Sequence, residues 1–212
     1  MKESLSELEL KRSFEQTNRS HTLDTYAQKF FDPEIGNPQE EFFEWIDSSV
    51  NSNFCDLGCG EGKALSEIRK RHHNSWGVEK YPSCPLPDYI YEADFSFLPF
   101  PDNFLGSAVS VAALGCYAEN EDQVREYFGE LQRVLSPGGR VLLSPFSSMQ
   151  KLAGEETEFC VQKPSLGNLG APDKTNTFSC KLLLVAREVG FETKIMRAYK
   201  NYYITGFELR VN

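Results

Sequence analysis

The sequence predicts an α/β domain built on a doubly wound, mostly parallel sheet, and three observations carry that reading. Short apolar runs at 53–57, 75–78 and 105–112 alternate with segments of helical periodicity. The first run passes through Asp56 into Gly58-Cys59-Gly60-Glu61-Gly62-Lys63, so three glycines at alternate positions lead at once into a helical pattern. Near the end of the chain, 192–198 and 202–210 read as two strands joined by Tyr199-Lys200-Asn201. A strand, tight turn and helix of this kind cradle a small ligand, and exposed N–H groups at the helix start favour an anion. The glycines read G-x-G-x-G. The dinucleotide fingerprint needs its third glycine one residue later, where Lys63 stands.

The elements follow in order. Residues 1–19 are charged and only loosely periodic, a marginal helix. Leu23, Tyr26, Ala27, Phe30 and Phe31 then make an apolar stripe at i, i+3, i+4, i+7 and i+8, with Ser20 or Thr22 as cap. Asn37 and Pro38 start a second helix that carries Phe42, Phe43, Trp45 and Ile46. The helix after the glycine turn runs to His72 and buries Ala64, Leu65 and Ile68; His72 and His73 answer its dipole or face solvent. After Glu79, three prolines within Tyr81–Pro87 forbid a crossover helix, so the third strand, from Tyr89 to Glu92, should be short and at the sheet edge.

The fourth strand runs from about Leu105 to Ala112, followed by Leu114-Gly115-Cys116-Tyr117. Asn120 caps a long helix, with Gln123 at the capping-box position. Ser136-Pro137-Gly138-Gly139 turns into a fifth strand from Arg140 to Ser144. Residues 145–178, rich in Pro, Gly, Ser, Thr and Asn, form either a substrate wall or a disordered segment. Their exit from the carboxyl end of a central strand favours the wall. Ser179 caps the last helix, which closes at Gly190.

Composition bounds the function. The chain has 212 residues, which suits one α/β domain rather than two, and 40% are hydrophobic, enough for a sizeable core. A net charge of −9 disfavours nucleic acid as a partner, because non-specific affinity comes from neutralising phosphates. No apolar run approaches a membrane span, and the N-terminus is charged rather than signal-like. Six scattered cysteines read as free thiols in a reducing cytoplasm. Cys55 and Cys59 with His72 and His73 lack the spacing of a metal site, so no metal is expected.

The glycine turn, Glu79 ending the second run, Ala93-Asp94, Leu98-Pro99-Phe100-Pro101-Asp102 and the segment from Leu131 through Ser136-Pro137-Gly138-Gly139 to Leu143 come in a telling order. Together they resemble the class I S-adenosylmethionine-dependent methyltransferases, from about Tyr26 to the C-terminus. The resemblance implies a Rossmann-like methyltransferase fold: seven strands, mostly parallel, with a C-terminal antiparallel hairpin. That hairpin speaks against a nicotinamide dehydrogenase. The implied cofactor is S-adenosylmethionine. Asp56 would serve its ammonium, Glu79 both ribose hydroxyls and Asp94 the adenine amino group. Gly58, Cys59, Gly60, Gly62, Phe95 and Ala112 would also line the cofactor site.

Residues 1–37 would be a helical lid over the cofactor-binding domain at 38–212, with Tyr26 on the lid reaching the cofactor. No residue is an evident general base; the candidates for a catalytic role are His21 and Tyr26. The expected partner is a small-molecule acceptor, with neither nucleic acid nor membrane. The alternatives are a protein or RNA methyltransferase and a non-catalytic cofactor-binding regulatory subunit.

Overall fold

The structure, a computed structural model, describes residues 22–114, 118, 120–144, 174–199 and 203–212. Among them, β1 (Phe54–Leu57), β2 (Ser75–Glu79), β3 (Ile90–Glu92), β4 (Leu105–Val111), β5 (Leu135–Ser144), β6 (Glu192–Tyr199) and β7 (Tyr203–Arg210) form one sheet. Its order is β3-β2-β1-β4-β5-β7-β6. The first five strands pair in parallel, and β7 runs antiparallel to both β5 and β6. Helices α1 (Leu23–Phe30), α2 (Pro38–Asp47) and α3 (Lys63–Arg71) cover one face. Helices α4 (Glu121–Val134) and α5 (Lys174–Val189) cover the other.

Strand alternation builds two cores from one sheet. Cys55, Leu57, Ala108, Val141, Leu143, Phe207 and Leu209 face α4 and α5, while Phe54, Val109, Val111 and Leu142 face α1 to α3. Because β1 sits between β2 and β4, the chain winds one way from β1 and returns to wind the other. The strand order therefore reverses beside β1, which opens a crevice at the carboxyl ends of β1 and β4.

Local chemistry explains the element ends. Thr22 caps α1 by accepting from the Thr25 N–H, Asn37 caps α2 with Pro38 behind it, and Asn120 caps α4 through the Gln123 N–H. Gly190, at φ 109°, closes α5. Its N–H donates to the Arg187 carbonyl and the next N–H, of Phe191, reaches back to Ala186. No helix joins β2 to β3, and β3 is a three-residue edge strand, as the proline run requires.

Four local readings are corrected. β5 starts at Leu135, not Arg140: the Ser136–Gly139 stretch is an excursion within the strand, since Leu105 pairs with Leu135 and Ser107 with Arg140. α5 starts at Lys174, so Ser179 lies inside it; the run of Thr and Asn that suggested a loop is drawn into the helix that carries Leu182, Leu183, Val185 and Ala186 into the core. β4 ends at Val111 because Ala112 turns to φ 58°. His72 is not solvated: its ring stacks on Phe43, and burial lowers its pKa against the pull of Asp47. Among the described residues no helix is long and apolar enough to cross a membrane.

Candidate active site

The glycine turn between β1 and α3 comes first, and four of its N–H groups have partners within the chain. The Gly58 and Cys59 N–H groups donate to the Val78 carbonyl at 2.7 and 3.2 Å, and the Gly62 N–H donates to Cys59 O at 2.9 Å. The Gly60 N–H donates to Glu79 Oε2 at 2.8 Å. The Glu79 side chain, fully buried at the end of β2, thus takes one of the donors that the sequence offered to an anion at this turn. Its other oxygen accepts from the Tyr81 N–H at 3.1 Å, so backbone donors hold both oxygens in place. Each carboxylate oxygen still has a second lone pair.

The three glycines differ in what surrounds them. A Cβ at Gly58 would run into Ala113, and one at Gly62 into Ile90. Gly60, at φ 56°, faces open space, with nothing within 4 Å of a Cβ built there. It is the position where a ligand can approach bare backbone.

Asp56 lies under α1. Its Oδ1 accepts from the Tyr26 phenol at 3.2 Å, across 30 residues of sequence. Its Oδ2 is equally buried and accepts from no donor among the described residues. Burial raises its pKa from 3.8 to about 8; the Tyr26 hydrogen bond pulls it down, and Glu79 pushes it further up. Among the described residues no cation acts on it. Burial also raises the Tyr26 phenol, aided by Asp56, so Tyr26 stays protonated and donates. Here a carboxylate has been taken out of water with half of its hydrogen-bonding capacity unmet, a costly arrangement unless a cationic donor completes it.

Asp94, just past β3, is held from two sides. Lys80 Nζ lies 2.6 Å from Oδ2, and Oδ1 accepts from the Ser96 N–H at 2.9 Å and from Ser96 Oγ at 2.8 Å. Burial pushes this carboxyl up, but Lys80 and the Ser96 donors outweigh it and leave it below its usual value. Phe95 is buried and meets Tyr127 edge-on at 5.7 Å, so it belongs to the core beneath the crevice. Ala112 holds its left-handed backbone through an N–H bond to the Ser144 carbonyl at 2.9 Å, and Ala113 beside it packs on Gly58. A positive φ at a non-glycine residue is uncommon, and here it falls at the carboxyl end of a central strand.

The structure therefore gathers Tyr26, Asp56, Gly58, Cys59, Gly60, Gly62, Glu79, Asp94, Phe95 and Ala112 at the carboxyl ends of β1 to β4. His21, residues 115–117 and the wall at 145–173 lie outside the described residues. Sequence reasoning passed over Lys80 and Tyr81, which hold Asp94 and Glu79. The signal was present: a lysine directly follows a strand-end carboxylate, and another carboxylate ends the neighbouring strand.

The switch point thus carries an open backbone position and a buried carboxyl that meets no cation among the described residues, an arrangement that suits a ligand with a cationic group. The family model described as "Methyltransferase domain" matches residues 55–143, from the glycine turn through β5. Over that stretch the chain is similar to methyltransferases, a likeness that fits S-adenosylmethionine as the cofactor.

No curated protein matches the chain. Among solved structures, it is similar to a methyltransferase from Thermotoga maritima described as a possible histamine N-methyltransferase. That likeness has a TM-score of 0.55 and 12% identity, over 96% of this chain and 98% of that one. An S-adenosylmethionine-dependent methyltransferase from Aquifex aeolicus aligns with TM-score 0.52 and 12% identity, over 94% and 96%. A chain from the complex of the Haloferax volcanii Trm112 methyltransferase activator with a candidate methyltransferase gives 0.50 and 16%, over 80% and 87%. At these identities the likeness is one of fold.

Proposed function

We propose that this methyltransferase acts on a small-molecule acceptor by in-line displacement. The observation that carries the reading is the cover. α1 lies over the end of β1, with the Tyr26 phenol on Asp56, a cover that suits a small acceptor better than a macromolecular one. The net charge of −9 favours neutral or cationic acceptors over polyanions.

In this reading Asp56 Oδ2 takes the ammonium of the cofactor's methionine part, which supplies the missing cation. Glu79, fixed by Gly60 and Tyr81, accepts from the ribose hydroxyls, and Asp94 accepts from the adenine amino group. The backbone at Gly60 and Ala112 lies against the ligand. Phe95 supports the base from below, and Gly58, Cys59 and Gly62 keep the turn in shape. S-adenosylmethionine supplies a methyl already activated on a sulfonium. The acceptor's lone pair forms the new bond to that methyl carbon as the carbon–sulfur bond breaks, and sulfur keeps the electron pair. The protein's task is then alignment and exclusion of water. Residues 22–31 act as the cover that keeps water from the bound cofactor.

The test is turnover of methyl-labelled cofactor on a panel of amines, phenols, thiols and carboxylic acids, run beside peptides and RNA. Label transfer to at least one small molecule is expected. Transfer only to peptide or RNA would replace the acceptor class, and tight cofactor binding without transfer to any of them would favour a regulatory subunit.

A further inference from the structure

The residue after Glu79 is not used in the reading above, yet it reaches across the site. Lys80 leaves the end of β2 and places its ammonium 2.6 Å from Asp94 Oδ2, at the end of the neighbouring strand. Its ammonium also lies 5.2 Å from the centre of the Tyr81 ring. An ionised carboxylate offers about four lone-pair sites. On Asp94, two on Oδ1 are taken by the Ser96 N–H and hydroxyl, and one on Oδ2 is taken by Lys80. One site on Oδ2 is left for a ligand.

What that last site recognises depends on the proton. An ionised Asp94 can only accept, so it pairs with an amino group and faces a carbonyl oxygen with repulsion. A protonated Asp94 can donate, and a 6-oxo purine becomes acceptable. Burial pushes this carboxyl toward the protonated form, and the Lys80 ammonium and the Ser96 donors hold it in the ionised one. Lys80 itself stays charged: burial works against it, and Asp94, Tyr127 and Tyr81 outweigh the burial.

We infer that Lys80 is a positioning residue that fixes Asp94 as a pure hydrogen-bond acceptor, and so sets a preference for a 6-amino over a 6-oxo purine in the cofactor. This rests on Asp94 facing the base, as in the reading above. It adds a specificity determinant that the site carboxylates alone do not explain.

Calorimetry with S-adenosylhomocysteine and S-inosylhomocysteine tests it, on the wild-type chain and on Lys80→Met and Lys80→Arg, at pH 6 and pH 8. Wild type should prefer the adenosyl ligand at both pH values. Lys80→Met should lose about tenfold in adenosyl affinity, the worth of one charge-assisted hydrogen bond. Its preference should narrow, more at pH 6 than at pH 8. Lys80→Arg should keep the preference.

A Lys80→Met protein that weakens both ligands equally, with its preference unchanged at both pH values, overturns the inference and leaves the cofactor reading intact. Wild type that binds neither ligand overturns both. Should Lys80→Met fold poorly by circular dichroism, Lys80→Gln in an Asp94→Asn background decides. The second change should then add no further loss of preference, and an additive loss would show that Lys80 does not act through Asp94.

Discussion

The two sides of one sheet face treat buried charge in opposite ways. The four buried acidic and basic residues among those described, Asp56, Glu79, Arg140 and Glu208, point toward α1–α3, because each alternates with a neighbour that faces α4 and α5. On the β5–β7 side the charges are matched. The Arg140 guanidinium lies 4.7 Å over the Trp45 ring and donates to the Trp45 carbonyl and to Ser48 Oγ. The Trp45 indole N–H donates to Glu208 at 3.1 Å. That cluster ties the end of α2 to the sheet. On the β1–β2 side two carboxyl groups and a phenol converge, and among the described residues no cation acts on Asp56 and one of its oxygens is unmet. The Arg140 side brings a cation to its carboxylate, though Arg140 Nε itself finds no partner among the described residues; a buried carboxylate without such a cation favours a ligand that carries one.

The largest expected effect comes from neutralising the unmatched side. The folded-state pKa of Asp56, about 8, lies above its ordinary 3.8, so the folded protein holds a proton there that the unfolded chain releases. Stability from this group is full below about pH 4 and is lost as pH rises toward about 8. Asp56→Asn should remove that loss and stabilise the ligand-free protein by several kcal/mol at pH 8. The same change should cost on the order of a hundredfold in cofactor affinity, through a lost charge-assisted bond. In the wild type, binding a cationic tail pulls the Asp56 pKa down, so cofactor binding near pH 7 should release protons. Calorimetry in two buffers of different ionisation enthalpy reads this. A melting temperature that is flat in pH for wild type, or no proton release, would break the comparison.

The matched side should respond the other way. Arg140→Met leaves Glu208 and the Trp45 carbonyl without their cation and should cost about 3 kcal/mol of stability. Cofactor affinity of the protein that still folds should not move. Denaturant unfolding and a binding titration separate the two quantities, and a linked loss of affinity would mean the two sides are coupled. Gly60→Val should fall next. The strain of φ 56° on a branched residue costs about 1–3 kcal/mol, and no neighbour resists the side chain. The protein should stay folded by circular dichroism while cofactor binding fails. Unchanged affinity would place the open backbone position outside the ligand's path.

How much of this was legible follows from range. The glycine turn, the capped helices, the proline-broken connection and the final hairpin rest on residues close in sequence, and all could be read from local chemistry. Asp56, Glu79 and Asp94 were legible because each sits at the end of an apolar run, where a doubly wound sheet puts its ligand. What they touch was not. The bonds of Glu79 to Gly60 and of Tyr26 to Asp56 span 19 and 30 residues and exist only once the strands are placed. That the Gly60 N–H is taken by the Glu79 side chain could not be read locally for that reason. The Arg140–Trp45–Glu208 cluster joins residues as far as 163 apart and left no local trace.

The smallest effect sharpens the comparison most, because it changes one hydrogen bond and no charge. The Tyr26 phenol is the only protein donor to Asp56 among the described side-chain contacts, and its bond holds the Asp56 pKa down against burial. Tyr26→Phe keeps the ring that α1 buries and removes that donor. Asp56 should then titrate higher than about 8, and the rise of cofactor affinity with pH should move to higher pH by the same amount. At pH 7 affinity should fall by several-fold, in line with about 1 kcal/mol for one buried hydrogen bond. Hydrogen exchange across α1 should gain protection when S-adenosylhomocysteine is added, and gain less in Tyr26→Phe, if the helix is held closed partly through Asp56. A shift of the affinity profile toward lower pH would reverse the sign argued here. An unshifted profile with altered exchange would leave Tyr26 as packing of α1 alone, with the charge on Asp56 governed from elsewhere.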